Sequence, residues 1–245
     1  SRYAPSRKSP ALIGKRPAGG LSDRAAVLLA RAPGRVWDEC ASKKLLKALG
    51  IAVVKEKIVG SQAEALAAAK RLGFPVVLKG LVEGGVHKTE AGLVMLNLAS
   101  PALLKQSFAV LKKRLRGAGR ILIQRQIPSD YELIAGVVRD AQFGPCVMFG
   151  LGGIFAELQK DVVFAPAPLS TATAKALIGR ISGHKLLSGF RGQAPLDLRA
   201  MADILTALGR LAASRPDIDA IDINPLAVYR GKPVAVDATV ILREL

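Results

Sequence analysis

The sequence predicts a mixed α/β fold, and three observations lead there. Short apolar runs bounded by Gly or Pro, such as Pro75–Leu78, Ile121–Gln124 and Pro145–Phe149, read as strands. Longer segments, such as Pro101–Arg116 and Leu198–Ser214, carry apolar residues at helical spacing. Half of the 245 residues are apolar and mean hydropathy is +0.30, so a large core can form and a disordered chain is excluded.

Residues 1–22 hold Pro5, Pro10 and Pro17 among basic, Ser and Gly residues and read as a linker or tail. A helical pattern starts at Asp23. Trp37–Leu49 is a predicted helix stopped by Gly50. Ile51–Val54 is a predicted strand. A helix from Ser61 or Gln62 to Leu72 ends at Gly73, and the apolar strand Pro75–Leu78 follows. The loop Gly84–Gly85–Val86–His87–Lys88 leads to a strand over Gly92–Leu98. Pro101 suits the first turn of the next helix. Ile121–Gln124, Glu132–Val138 and Pro145–Phe149 are strands, the last running into Gly150–Leu151–Gly152–Gly153. Helices over Ala172–Gly179 and Leu198–Ser214 precede strands at Ala220–Ile223, Leu226–Tyr229 and Pro233–Asp237. The last two close as a hairpin around Arg230–Gly231–Lys232.

The chain is strongly basic, with a net charge of +17 and a pI near 10.3. The first 35 residues carry eight Lys or Arg and one acid, Asp23. Such a chain attracts polyanions. Aromatic residues are only 4%, too few for base-stacking platforms, which argues against single-strand binding, and with no paired-cysteine finger or basic region before heptads no nucleic-acid partner is expected. Phosphorylated small molecules or an acidic partner fit better. The longest run without a formal charge, Ala141–Ala156, contains four glycines and is shorter than a membrane helix needs. A soluble, cytoplasmic protein with no membrane partner is expected. Cys40 and Cys146 read as free thiols, and with His87 and His184 they lack zinc-ligand spacing. His184 reads as a solvated loop residue.

Gly150–Leu151–Gly152–Gly153 is half of a dinucleotide fingerprint, whose third glycine position holds Phe155. The Walker phosphate loop is absent, because Arg16 and Pro233 follow the two Gly-Lys pairs. A different set is more informative. Lys79 ends a buried strand beside the Gly/His loop, an arrangement suited to polyphosphate. Gln124 ends another strand, with Glu132 eight residues on, matching an amide for adenine and a carboxylate for ribose. Asn224 and Asp237 lie at the ends of two predicted strands. One amide and one carboxylate, completed by waters and phosphate oxygens, suit Mg2+. Each feature alone has a plain structural reading: a snorkelling lysine, a polar hairpin, a turn Asn before Pro.

In this order the features resemble the ATP-grasp fold, and more closely the nucleotide-binding β subunit or fused domain of the NDP-forming acyl-CoA synthetases, the ADP-forming acetate–CoA ligases. The resemblance runs from Trp37 to Leu242. It is densest in LGFPVVLKG (72–80), HKTEAG (87–92), ELIAGVVRDAQFGPCVMFGLGGIFAEL (132–158), IDINPL (221–226) and VDA (236–238). It implies two α/β subdomains that close on ATP or ADP with Mg2+, over residues 23–245, with a lid at about 52–122. By that resemblance Lys79 reaches the α/β-phosphates, Gln124 and the Ile127 backbone hold adenine, and Glu132 holds ribose. Asn224 and Asp237 hold Mg2+, and Gly150, Gly152 and Gly153 admit a phosphoryl group. His87 relays phosphate to and from a phosphohistidine. Implied partners are an α-type CoA-binding subunit or fused N-terminal half, which would bring CoA and the small-molecule acid. Two departures from the family pattern are Val82–Glu83–Gly84–Gly85, where relatives carry Ser-Pro, and Gly92–Leu93–Val94. An ATP-grasp carboxylate–amine ligase, which would not need His87, and a non-catalytic nucleotide-sensing or scaffold domain stay open at this level.

Overall fold

The structure is a computed structural model that describes residues 23–82, 91–153, 161–189 and 193–243. The loop at 84–88 with His87, and the tail at 1–22, lie outside the described residues. The elements run α1 (Asp23–Ala30), β1 (Val36–Trp37), α2 (Glu39–Ala48), β2 (Glu56–Val59), α3 (Gln62–Leu72), β3 (Val76–Leu81), β4 (Val94–Leu98) and α4 (Pro101–Leu115). Then follow β5 (Arg120–Arg125), β6 (Tyr131–Asp140), β7 (Gly144–Leu151), β8 (Val162–Pro166), α5 (Thr171–Ile178) and a 3-10 turn at Ser182–Ser188. The chain closes with α6 (Leu198–Ser214), β9 (Ile218–Tyr229), β10 (Lys232–Ala235) and β11 (Ala238–Leu242).

Local chemistry sets the helix starts. Asp38, Ser61, Ser100, Ser170 and Asp197 each accept a hydrogen bond from a backbone N–H of the first turn, at 2.8–3.3 Å. These caps satisfy donors that the helix itself leaves open. Asp38 as cap moves the start of α2 to Glu39, two residues after the predicted Trp37.

Two antiparallel sheets form. The larger runs β1-β11-β9-β6-β7-β8, with β10 also paired to β9. Its odd-numbered positions Leu133, Ala135, Val137, Val147, Phe149 and Leu151 join α1, α2, α5 and α6 in one core. The alternate residues, Glu132, Ile134, Gly136, Met148 and Gly150, therefore line the opposite face. The smaller sheet runs β2-β5-β3-β4. Val76, Leu78, Ile121 and Ile123 pack under α3 and α4 through Ala65, Ala68, Ala69, Leu104, Phe108 and Leu111. Alternation puts Val77, Lys79, Leu122 and Gln124 on the other face.

The structure corrects several predicted elements. Ile51–Val54 is not a strand: Val53 makes one parallel bridge to Ala235, and the ladder forms at Glu56–Val59, where β5 offers a partner. Such a pairing is non-local and leaves no alternation of its own in the sequence. The strands at 220–223 and 226–229 are one strand, Ile218–Tyr229. The ladder to β6 slips between the Leu133–Leu226 and Ala135–Ile223 pairs. Pro225 has no N–H to donate there, so the strand bulges without ending. β1, β8 and β11 were not predicted. The β9–β10 turn is tighter than expected, with Arg230 and Gly231 both at positive φ, as a two-residue hairpin requires.

Arg139 joins the helix layer to the sheet. Its guanidinium donates to the carbonyls of Ala212, Arg215 and Ile218 at 3.0–3.1 Å, closing the end of α6. Arg139→Ala is expected to cost about 1–3 kcal/mol, because it strips partners from carbonyls at a helix terminus. Urea unfolding reads the loss. An unchanged midpoint would mean that water serves these carbonyls equally well.

Candidate nucleotide site

The uncovered face of the smaller sheet meets α2 and the loop between β10 and β11. Lys79, on β3, is 4% exposed. Its Nζ donates to Glu39 Oε1 at 2.7 Å, to the Val236 carbonyl at 3.4 Å and to Asp237 Oδ2 at 3.3 Å. Gln124 stands on the same face, since β3 and β5 pair Val77 with Gln124 and Lys79 with Leu122. Gln124 is buried, and its Oε1 accepts from Lys43 Nζ at 3.3 Å. Lys43 also holds Glu39 Oε1 at 2.7 Å, the Val236 carbonyl at 3.0 Å and the Glu56 carboxylate. Two cations and two carboxylates are thus enclosed together, and each covers the other's desolvation. Burial pushes the Glu56 carboxyl up, while the Lys43 ammonium pulls it back.

Asn224 and Asp237 come together, though not as ends of a hairpin. Asn224 lies inside β9 at the bulge, and Asp237 lies in the turn from β10 to β11. The Asn224 N–H donates to the Asp237 carbonyl at 3.2 Å. Asp222 joins them, because Ile221 and Ile223 point into the core and leave Asp222 and Asn224 on the open side. Asp222 reaches solvent, yet desolvation by surrounding protein, and then the charge of Asp237, hold its carboxyl above the ordinary value. The charge of Asp237 adds to the rise. A divalent cation would offset that share of the rise, and hard oxygen donors suit Mg2+. Among the described residues no group of three or more His, Cys, Asp or Glu gathers, so any cation here would take further oxygens from phosphate or water.

Glu132 belongs to a second group. The Gly152 N–H donates to the Glu132 carbonyl at 2.7 Å, and a Cβ on Gly153 would lie 3.2 Å from Glu132 Oε2. Gly153 has φ +62°, and a Cβ on Gly150 would meet the Asp161 carbonyl at 2.6 Å. Glycine is required at these places for close approach and for backbone shape. Glu132 faces Ala227 across the β6–β9 ladder, on the strand that carries Asn224. Ile127 lies half-buried in the link from β5 to β6. His184 is exposed, with Nδ1 3.2 Å from the Ile181 carbonyl.

The ATP-grasp domain family matches residues 29–242. The chain belongs to the ATP-grasp family. It is 38% identical over 219 residues to the β subunit of acetate–CoA ligase [ADP-forming] I from Pyrococcus furiosus, covering 87% of this chain and 94% of that one. A solved structure of the Ca. Korarchaeum cryptofilum dinucleotide-forming acetyl-coenzyme A synthetase 1, in complex with coenzyme A, Ca-AMPCP and HgCl+, matches with TM-score 0.83 and 38% identity. That match covers 91% of this chain and 100% of that one. A second structure of the same synthetase holds coenzyme A and Mg-AMPPCP, with its phosphohistidine segment pointing towards the nucleotide binding site. It matches with TM-score 0.78 and 37% identity, covering 89% of this chain and 100% of that one. No helix among the described residues of this ATP-grasp chain is long and apolar enough to cross a membrane.

Sequence reasoning missed Glu39, Lys43, Glu56 and Asp222. The signal for three of them is visible in the sequence. Glu39 and Lys43 stand four apart on the same buried arc of α2 as Ser42, Leu45 and Leu46. Charges on an apolar face need partners from elsewhere. Asp222 shares the outward register of Asn224 in Ile221–Asp222–Ile223–Asn224.

Proposed function

We propose that this chain is the nucleotide-binding half of an ADP-forming acid–CoA ligase. It exchanges phosphate between ATP/ADP and a phosphohistidine, coupled to the reaction acyl-CoA + ADP + phosphate ⇌ acid + CoA + ATP. The observation that carries this reading is the ion pair of Lys79 with Asp237 at the seam of the two sheets, with Asn224 and Asp222 beside it. A cation for the phosphates and oxygens for a metal stand within one contact of each other, as phosphoryl transfer needs.

In this reading Lys79 binds the α/β-phosphates, and Gln124 with the Ile127 backbone holds adenine. Glu132 holds ribose, and the smaller sheet with its helices, about residues 52–122, closes as a lid. Asn224 and Asp237 hold Mg2+, which neutralises charge on the transferring group when bound. Gly150, Gly152 and Gly153 let backbone approach that group. His87 passes the phosphoryl group between the nucleotide and the partner's phosphohistidine, splitting one transfer into two. An α-type CoA-binding subunit, or a fused N-terminal half, brings CoA and the acid. The β-subunit name of the Pyrococcus relative supports a partner of this kind.

The test uses the chain with and without such a partner. Alone it is expected to bind ADP with Mg2+ and to make no acyl-CoA; with the partner, a hydroxamate assay on candidate acids should turn positive. His87→Ala should keep ADP binding and lose formation of an acid-labile, base-stable phosphoryl protein. Acyl-CoA made by the chain alone would overturn the division of labour. Equal phosphate relay by wild type and variant would remove His87 from the relay.

A further inference from the structure

Lys79 does not stand alone at the seam. Lys43 Nζ and Lys79 Nζ share two acceptors, Glu39 Oε1 at 2.7 Å from each and the Val236 carbonyl at 3.0 and 3.4 Å. Lys43 then adds Glu56 and Gln124 Oε1, while Lys79 adds Asp237. The Lys43 side chain is 1% exposed. An ammonium has three donors, and here four protein oxygens surround it, so no donor remains for a ligand. Lys43 therefore does not bind nucleotide itself. Everything it touches adjoins a residue that would. Glu39 holds Lys79, the Val236 carbonyl precedes Asp237, and Gln124 is the amide assigned to adenine.

We propose that Lys43 is the positioning residue of the nucleotide site: it sets Lys79 through Glu39, the Asp237 turn through the Val236 carbonyl, and the direction of the Gln124 carboxamide through its oxygen. With Oε1 committed to Lys43, Gln124 presents its NH2 group, a donor only, to the other side. One buried cation thereby links the phosphate end and the base end of the site, and it joins α2 of the larger unit directly to β2 and β5 of the smaller sheet, and to β3 through Glu39 and Lys79. The inference rests on the nucleotide reading above. A buried ion pair that merely staples the two units would change stability and leave that link untouched.

Calorimetry on the full chain with ADP·Mg2+ and with adenosine separates these cases. Lys79→Met in the wild-type background comes first. It should weaken ADP and spare adenosine; if ADP binding is unaffected, the nucleotide reading falls and the inference with it. The second variant is the paired replacement Lys43→Met/Glu56→Gln, which removes one cation and one carboxylate and keeps the cluster's net charge. Cooperative unfolding by circular dichroism checks that it folds. ADP affinity should drop by roughly tenfold or more and adenosine affinity severalfold. Lys79→Met should cost less in this background than in wild type, the signature of coupled residues. Affinities within about twofold of wild type, or an unchanged Lys79→Met penalty, overturn the inference while leaving the nucleotide reading in place. If the pair does not fold, Lys43→Arg decides, since it keeps the charge and moves the donors: lost ADP affinity supports the inference, and wild-type affinity overturns it.

Discussion

Asn224→Ala combined with Asp237→Ala abolishes the Mg2+ dependence of ADP binding. In the wild type, Mg2+ should tighten ADP by about one to two orders of magnitude, because Asn224 and Asp237 would hold a cation that would offset the phosphate charge. The double variant should bind ADP equally with and without the metal. Its metal-free affinity should not fall and should rise slightly. Asp237 is an anion beside the assigned phosphate position, and its removal takes away repulsion. Lys79 keeps Glu39 at 2.7 Å and the Val236 carbonyl after losing the Asp237 contact at 3.3 Å, so the cation stays in place. Asp222, relieved of its neighbour's charge, should titrate closer to an ordinary carboxyl. The free-metal affinity of the wild type should be low, since the described protein oxygens at this place are few. Calorimetry at matched ionic strength, with and without Mg2+, measures all of this. A full Mg2+ effect in the double variant would place the cation elsewhere.

The residues that sequence reasoning singled out stand at the end of an apolar run or beside Gly or Pro. Lys79 stands out at the end of an apolar run, Gln124 likewise, and Asn224 beside Pro225. The residues it missed carry no such local mark and draw their meaning from a non-local partner. Glu39 and Lys43 look like an ordinary helix pair until β3, β5 and the 236–237 turn are brought against them. The fold shows the same division. Helices with Ser or Asp caps were legible to within about two residues, because their hydrogen bonds are local. Strands β1, β8 and β11 were not, because each depends on a partner: β1 pairs with β11, two hundred residues away in sequence. Ile51–Val54 has strand composition but only Ala235 to bridge, so composition without a partner made no ladder. Asn224 and Asp237 were expected to meet through hairpin geometry and come together by another route. β11, absent from the sequence reading, returns the chain beside β9, and this return sets Asp237 against Asn224.

Gly136→Ala should destabilise the protein by about 3 kcal/mol or more and weaken ADP·Mg2+ binding at the same time. Gly136 is in the middle of β6, paired with Asp222 of β9 on one side and Met148 of β7 on the other. A Cβ there would lie 2.2 Å from the Ile221 carbonyl oxygen, a backbone atom that cannot rotate away. The two central strands must then separate by about an ångström or the new methyl must twist the ladder. Either change stretches hydrogen bonds in the middle of the larger sheet. A chain of this size should lose roughly 2–4 °C of thermal midpoint per kcal/mol, so a fall near 10 °C is expected. The functional effect follows from register. The displaced stretch of β9 carries Asp222 and leads directly to Asn224, so both move relative to Asp237, which is held from β11. Ala135→Gly, the neighbouring residue whose side chain faces the core, serves as the contrast. It should cost about 1 kcal/mol through lost packing and backbone entropy, with ADP affinity little changed. Loss of stability in both variants with loss of affinity in Gly136→Ala alone would tie the proposed Asn224–Asp237 metal site to the spacing of β6 and β9. A Gly136→Ala protein with wild-type midpoint would show that the strands tolerate the methyl, and the close approach at Ile221 would have no role in building the site.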